Sequence, residues 1–144
     1  MTGNSRFAVS VHILAYLAFR EGADVPSTEI AESVRTNPVV IRRLLSALMK
    51  ARLVTAQKGA GGGFALASTP ANISLLEIYR AVEPKPDFGM SHFAPNPRCP
   101  VGAKIELILQ SAFFKAQAGM EAELARVTLA EVDRQLHAVC PGKK

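Results

Sequence analysis

Asn37 to Ala67, NPVVIRRLLSALMKARLVTAQKGAGGGFALA, reads as a helix, a short strand, a glycine-rich turn and a returning strand. Asn37 suits an N-cap, and Pro38 suits the first helical position, where its missing N–H has no partner to lose. A helix is predicted from there to about Arg52. Ile41, Leu44, Leu45 and Leu48 recur at helical spacing and face a core, while Val39, Arg42, Arg43, Ser46 and Lys50 project from the opposite side. Leu53, Val54 and Thr55 make the first strand, residues 58–63 the turn, and Phe64, Ala65 and Leu66 the second strand. A helix followed by a hairpin wing is the expected unit.

No Asp or Glu occurs between Glu32 and Glu77, yet Arg35, Arg42, Arg43, Lys50, Arg52 and Lys58 all fall inside that window. Ordinary solvated surfaces mix both signs, so an acid-free basic window points to a polyanionic partner, with nucleic acid foremost. The competing reading is a set of cations that only solubilises an apolar helix pair. The formal charge of +5 is uneven: residues 1–70 carry eight Lys or Arg against four Asp or Glu, and residues 71–144 carry nine against eight.

The 144 residues, 49% of them apolar, suit one domain with an appended element. No apolar run approaches the ~20 residues that a bilayer span needs. The opening MTGNSR leads straight into a helical pattern with no signal-peptide pattern, so a cytoplasmic location and no membrane contact are expected. Cys99 and Cys140 cannot make a disulfide framework or a four-ligand zinc site. His12, His92 and His137 are scattered and join no nucleophile or metal set, so no enzyme activity is expected.

Upstream, Ser5 to about Glu21 is predicted as a scaffold helix, with Phe7, Val11, Leu14, Leu17 and Ala18 at helical spacing. His12 inside it reads as a core or interface histidine with a satisfied hydrogen bond, since no second ligand sits at metal spacing. Residues 22–26 form a turn, and Ser27 is expected to cap a short helix that turns Ile30, Ala31 and Val34 inward. About four residues separate that helix from the one at Pro38, which is helix-turn-helix spacing. In such a motif the second helix enters the major groove, making Thr36, Pro38, Val39, Arg42, Arg43, Ser46 and Lys50 the candidate contacts to double-stranded DNA. An Arg fork on guanine O6 and N7 is worth about 1–3 kcal/mol of discrimination. At least one of Arg42 and Arg43 is therefore expected to read a base, the opposing possibility being an internal pair with Glu29 or Glu32. Lys58, Gly61 and Gly62 in the wing are candidates for a sugar-phosphate strand, the glycines supplying a tight hairpin and close backbone approach, set against an ordinary exposed turn with a solubilising lysine. KGAGGG lacks the GxxxxGK[ST] pattern and the strand-then-helix context of a nucleotide loop.

Downstream, Ser74 and Glu77 form a capping box that opens a helix to about Val82. Residues 83–100, with Pro84, Pro86, Pro95, Pro97 and Pro100, read as a long loop holding His92 and Cys99. From Val101 to about Arg126 the pattern is helical again, over about 39 Å. That exceeds what a small domain covers, so Val101, Ile105, Ile108, Ala112, Phe113 and Ala116 are candidates for contact with a second copy of the chain, beside the reading of an intrachain cover for the first helix. Thr128 and Glu131 suggest another capping box, opening a last helix that ends before Pro141. The expected fold class is mostly α with a small two-stranded β wing. It comprises a winged helix-turn-helix domain over 1–82, a Pro-rich regulatory loop over 83–100, and a dimerisation helix with a C-terminal helix over 101–144.

SRFAVSVHILAYLA, TEIAESVRTNPVVIRRLLSALMKARLVTAQKGAGGGFALA, ISLLEIYRAVE and NPRCPVG, in that order and spacing, resemble the Rrf-two family of bacterial winged helix-turn-helix regulators over about residues 5–126. The resemblance implies a homodimer on a roughly palindromic operator. In the family's cluster-binding members the loop carries three cysteines that hold an iron–sulfur cluster; here it has only Cys99, and a cluster would need His92, Cys140 or outside donors. No cofactor is expected. Cys99 is instead a candidate redox sensor, near Arg98 and Lys104 and at a predicted helix start, set against the reading of an inert cysteine. The function expected is a DNA-binding transcriptional regulator, a repressor, responsive to redox state or a ligand. The alternative is a protein-binding adaptor on the same scaffold without DNA readout. An RNA binder would offer aromatics for stacking, and Phe64 is the only one in the basic window.

Overall fold

The elements run α1 (Ser5–Phe19), α2 (Ser27–Val34), α3 (Pro38–Lys50), β1 (Val54–Gln57), β2 (Gly63–Leu66), a 3-10 turn Pro70–Asn72, α4 (Leu75–Val82), α5 (Ile105–Arg126) and α6 (Leu129–Val139). The computed structural model describes residues 5–83 and 94–140. Local sequence explains most of the boundaries. Asn37 Oδ1 accepts the Val39 N–H at 2.8 Å, with Pro38 at the first helical position of α3. Ser74 and Glu77 close the capping box on α4 in both directions, Glu77 N–H to Ser74 Oγ at 3.2 Å and Ser74 N–H to Glu77 Oε2 at 2.8 Å.

Three boundaries differ from the sequence reading. Ser27 does not cap α2; Pro26 holds the cap position with no side-chain bond, and Ser27 is the first helical residue. At α6 the Thr128 hydroxyl accepts the Glu131 N–H at 3.3 Å, but the Glu131 carboxylate turns away to Gln135 and Arg134, so the reciprocal bond of a capping box is not made. The Gln135 hydrogen bond and the Arg134 guanidinium hold that carboxyl below its usual range. Residues 101–104 form hydrogen-bonded turns and α5 starts at Ile105.

Both short helices of the helix-turn-helix stop on a left-handed arginine. Arg35 (φ 58°) donates its N–H to Ala31 O at 2.8 Å at the end of α2. Arg52 (φ 62°) donates to Met49 O while Leu53 donates to Leu48 O, each at 3.0 Å, a Schellman closure of α3 with Leu48 and Leu53 both buried. A side chain in this region costs about 1–2 kcal/mol that glycine avoids.

The core forms around α1. Ile13 and Leu14 meet Ile30 of α2, Ile41, Leu45 and Leu48 of α3, Ile78 of α4 and Leu129 of α6, all fully buried, each worth about 1.5–3 kcal/mol of apolar burial. The C-terminal helix is part of this unit: Leu75 N–H binds Val127 O at 2.9 Å, Leu129 N–H binds Ile73 O at 2.8 Å, and the Phe19 and His137 rings lie 5.0 Å apart. Pro84, Pro86 and His92 lie outside the described residues.

Candidate nucleic-acid interface

The candidate interface is built on α3. Its buried stripe of Ile41, Leu44, Leu45 and Leu48 fixes the roll of the helix, and that roll leaves Val39, Arg42, Arg43, Ser46, Met49 and Lys50 exposed along the outer side. Thr36 is half-buried in the turn before it and Pro38 stands exposed at its start. One candidate fate of the arginines is closed off, because Glu29 is taken by Arg20 and by the Tyr16 hydroxyl, the latter at 2.6 Å. Among the described residues no ion pair involves Arg35, Arg42, Arg43, Lys50, Arg52 or Lys58; the pairs that form join Arg20–Glu29, Arg80–Glu121, Arg126–Glu123, Arg134–Glu131 and His137–Asp133. Among the described residues the positive charge of the window is not neutralised by ion pairs.

Beside α3 stands the wing. β1 and β2 pair antiparallel, Val54 opposite Leu66 and Gln57 opposite Gly63, and the turn between them puts Lys58 in solvent. The first strand starts at Val54 because Leu53 is consumed by the helix closure. Gly61 sits at φ +76°, a conformation side chains rarely adopt. At Gly62 a Cβ would come within 2.2 Å of the Gln57 carbonyl oxygen. The other edge of β2 is pinned to the loop before α2: Val25 N–H binds Phe64 O at 2.9 Å and Phe64 N–H binds Val25 O at 2.8 Å. Phe64 is half-buried against the core and is not an open stacking surface. Sequence reasoning missed the Val25 bridge, which pairs residues far apart in the chain and leaves no periodic trace.

His12 is not a core residue: it is exposed, on the outward side of α1, and only the expected hydrogen bond is present, with Nε2 2.9 Å from Ser33 Oγ. Cys99 is exposed in the turn ahead of α5. Backbone hydrogen bonds from Gly102 and then Val101 hold its thiol below the ordinary range. α5 has no buried residue along its 22 positions. Ile105, Leu109, Phe113, Gln117, Glu121 and Leu124 are half-buried, and Glu121 reaches Arg80 of α4 at 3.6 Å. Val101, Ile108, Ala112 and Ala116 stay exposed, as do Leu107 and Phe114, which lay outside the predicted stripe.

A helix-turn-helix with an unpaired cationic second helix and a pinned hairpin beside it defines the winged helix-turn-helix class of DNA-binding protein. The chain belongs to the Rrf2 family, whose model, described as "Iron-dependent Transcriptional regulator", matches residues 3–135. It is similar to the candidate HTH-type transcriptional regulator YwnA of Bacillus subtilis (strain 168), 46% identical over 133 residues that span 92% of this chain and 98% of YwnA. Among solved structures, one of a candidate DNA binding protein superposes with a TM-score of 0.71 at 44% identity, covering 88% of this chain and 97% of the other. T. potens IscR shares the fold, with a TM-score of 0.75 at 23% identity over 100% of this chain and 94% of its own. The family consists of transcriptional regulators, not enzymes, and this chain is a DNA-binding regulator of that kind. Among the described residues no helix is long and apolar enough to cross a membrane.

The iron in the family description can be tested against the donors present. The chain has two cysteines, and among the described residues no group of three or more His, Cys, Asp or Glu is placed to hold a metal ion. Two cysteines in one chain fall short of the four, mostly thiolate, ligands that usually hold an iron–sulfur cluster.

Proposed function

We propose that the chain is a cytoplasmic repressor that binds a roughly palindromic operator as a homodimer, with α3 in the major groove and the wing on the adjacent sugar-phosphate strand. The observation that carries this reading is the set of unpaired cations on α3 and the wing, in a window without a single carboxylate. Dimerisation is supported by the exposure of Val101 (67%), Leu107 (67%), Ile108 (64%) and Phe114 (76%) on and beside one helix. Two reading heads would then address half-sites about 34–36 Å apart or a multiple of that.

The test is titration onto duplex DNA from upstream of the gene. Arg42→Ala is expected to relax base preference by about tenfold or more at one base pair. Lys58→Ala is expected to weaken all duplexes together and to reduce the salt slope by about one unit. Unchanged footprints and affinities in both variants would overturn the assignment. An adaptor without DNA readout would show no salt-dependent duplex affinity at all.

The signal we propose is oxidation of Cys99 without a resident cluster. The lowered thiol supplies thiolate, which attacks a peroxide oxygen; the O–O bond breaks, a sulfenic acid forms, and the leaving oxygen departs as water. Peroxide treatment is expected to change operator affinity in the native chain and not in Cys99→Ser, read by fluorescence anisotropy. Equal responses in the two proteins would remove Cys99 from the account.

A further inference from the structure

Arg6, in the first turn of α1, belongs to no predicted contact, yet the fold brings it to Arg43. A hollow of about 410 Å³ between α1 and α3 is lined by Arg6, Val40, Arg43 and Leu44. Leu44 is buried and Val40 half-buried, so they form an apolar floor along which two arginine stems can lie while both guanidinium groups stay in solvent. No acid lines this hollow, and among the described residues neither arginine has an ion-pair partner. Arg6 is set on firm backbone, its carbonyl accepting the hydroxyl of the fully buried Ser10 at 2.7 Å. Two arginines lining one hollow without a counter-charge suit an anion with several acceptor oxygens, which each fork can grip by two parallel bonds.

Helix geometry says which anion. Consecutive residues of α3 point about 100° apart, so Arg42 and Arg43 stand on opposite shoulders of the strip formed by Val39, Ser46 and Lys50. A helix lying in the major groove turns that strip to the bases and the shoulder beside α1, where Arg43 lines the hollow with Arg6, toward one flanking strand, while Arg42 on the far shoulder has no second cation of the hollow beside it. We infer that Arg6 and Arg43 together clamp one backbone phosphate of the operator, leaving Arg42 as the arginine of α3 that reads a base edge. This rests on the proposed DNA binding and divides between two neighbouring arginines the roles that sequence left open.

The experiment compares the native chain with Arg6→Ala, Arg43→Ala, the double variant and Arg42→Ala on the upstream duplex and on a scrambled duplex across a salt series. Arg6→Ala and Arg43→Ala are each expected to weaken both duplexes by the same factor, about tenfold, and to lower the salt slope by about one unit. The double variant should lose little more than either single one, because both remove the same clamp. Only Arg42→Ala should shrink the ratio between the two duplexes. Native binding with an unchanged slope in Arg6→Ala, or a collapsed ratio in Arg43→Ala, overturns the clamp while leaving DNA binding intact; no duplex binding by the native chain overturns both. A free anion is the other source of the same chemistry. If inorganic phosphate without DNA raises the melting temperature of the native chain and not of Arg6→Ala, with DNA salt slopes equal, the hollow serves a soluble anion and the clamp is rejected.

Discussion

Gly63→Ala should lower the melting temperature by about 10 °C, corresponding to about 3 kcal/mol for a chain of this size. A Cβ at this position would lie 2.5 Å from both the carbonyl carbon and oxygen of Val25 and 2.8 Å from its nitrogen. These are backbone atoms and cannot rotate away. Relief requires β2 to leave Val25, which sacrifices the paired Val25–Phe64 hydrogen bonds that set the wing beside α3. Gly61→Ala supplies the contrast: nothing lies within 4 Å of its Cβ, so only the φ of +76° is penalised, by about 1 kcal/mol. Circular dichroism melts of the two variants decide the matter. Equal melts would mean that the bridge to Val25 does not hold the wing.

Ile108→Asp should convert the proposed dimer into a monomer at micromolar concentration and cut operator affinity by about a hundredfold or more, since a single reading head loses the avidity of two. Ile108 is 64% exposed in the protomer, so a carboxylate there costs the isolated fold little; in a dimer it would be buried without a partner. Sedimentation velocity reads the assembly and an unchanged melting profile at low concentration reads the fold. A dimer that survives the substitution would remove the outer face of α5 from the contact. Phe114→Asp, at the 76% exposed position about 120° round the helix from Ile108, tests the other flank of the exposed side.

What sequence could reveal follows from how local each cause is. Asn37 and Pro38 act within one turn of helix, and Ser74 with Glu77 likewise, so their roles are visible in spacing alone. The roll of α3 is also local, because its apolar stripe determines which residues are left outside. Ser27 misled because a serine at a helix start is a frequent cap, and nothing nearby shows that Pro26 occupies that position. Glu131 misled because Arg134 and Gln135, one turn on, compete for its carboxylate. On α5 an apolar pattern says that a helix has sticky sides without saying which side its own body takes. The fold settles this by half-burying Ile105 and Phe113 and leaving Ile108 and Phe114 out. That Arg6 and Arg43 line one hollow, and that Val25 pairs with Phe64, depends on how distant segments cross, which no window of sequence contains.

The two left-handed arginines have a consequence for anyone improving this protein. Glycine at positions 35 and 52 would relax both helix ends. A directed-evolution campaign scored on heat tolerance alone would therefore drift toward those changes, subtracting two positive charges from a window that holds no carboxylate to balance them, and trading the chain's attraction for polyanions against sturdiness.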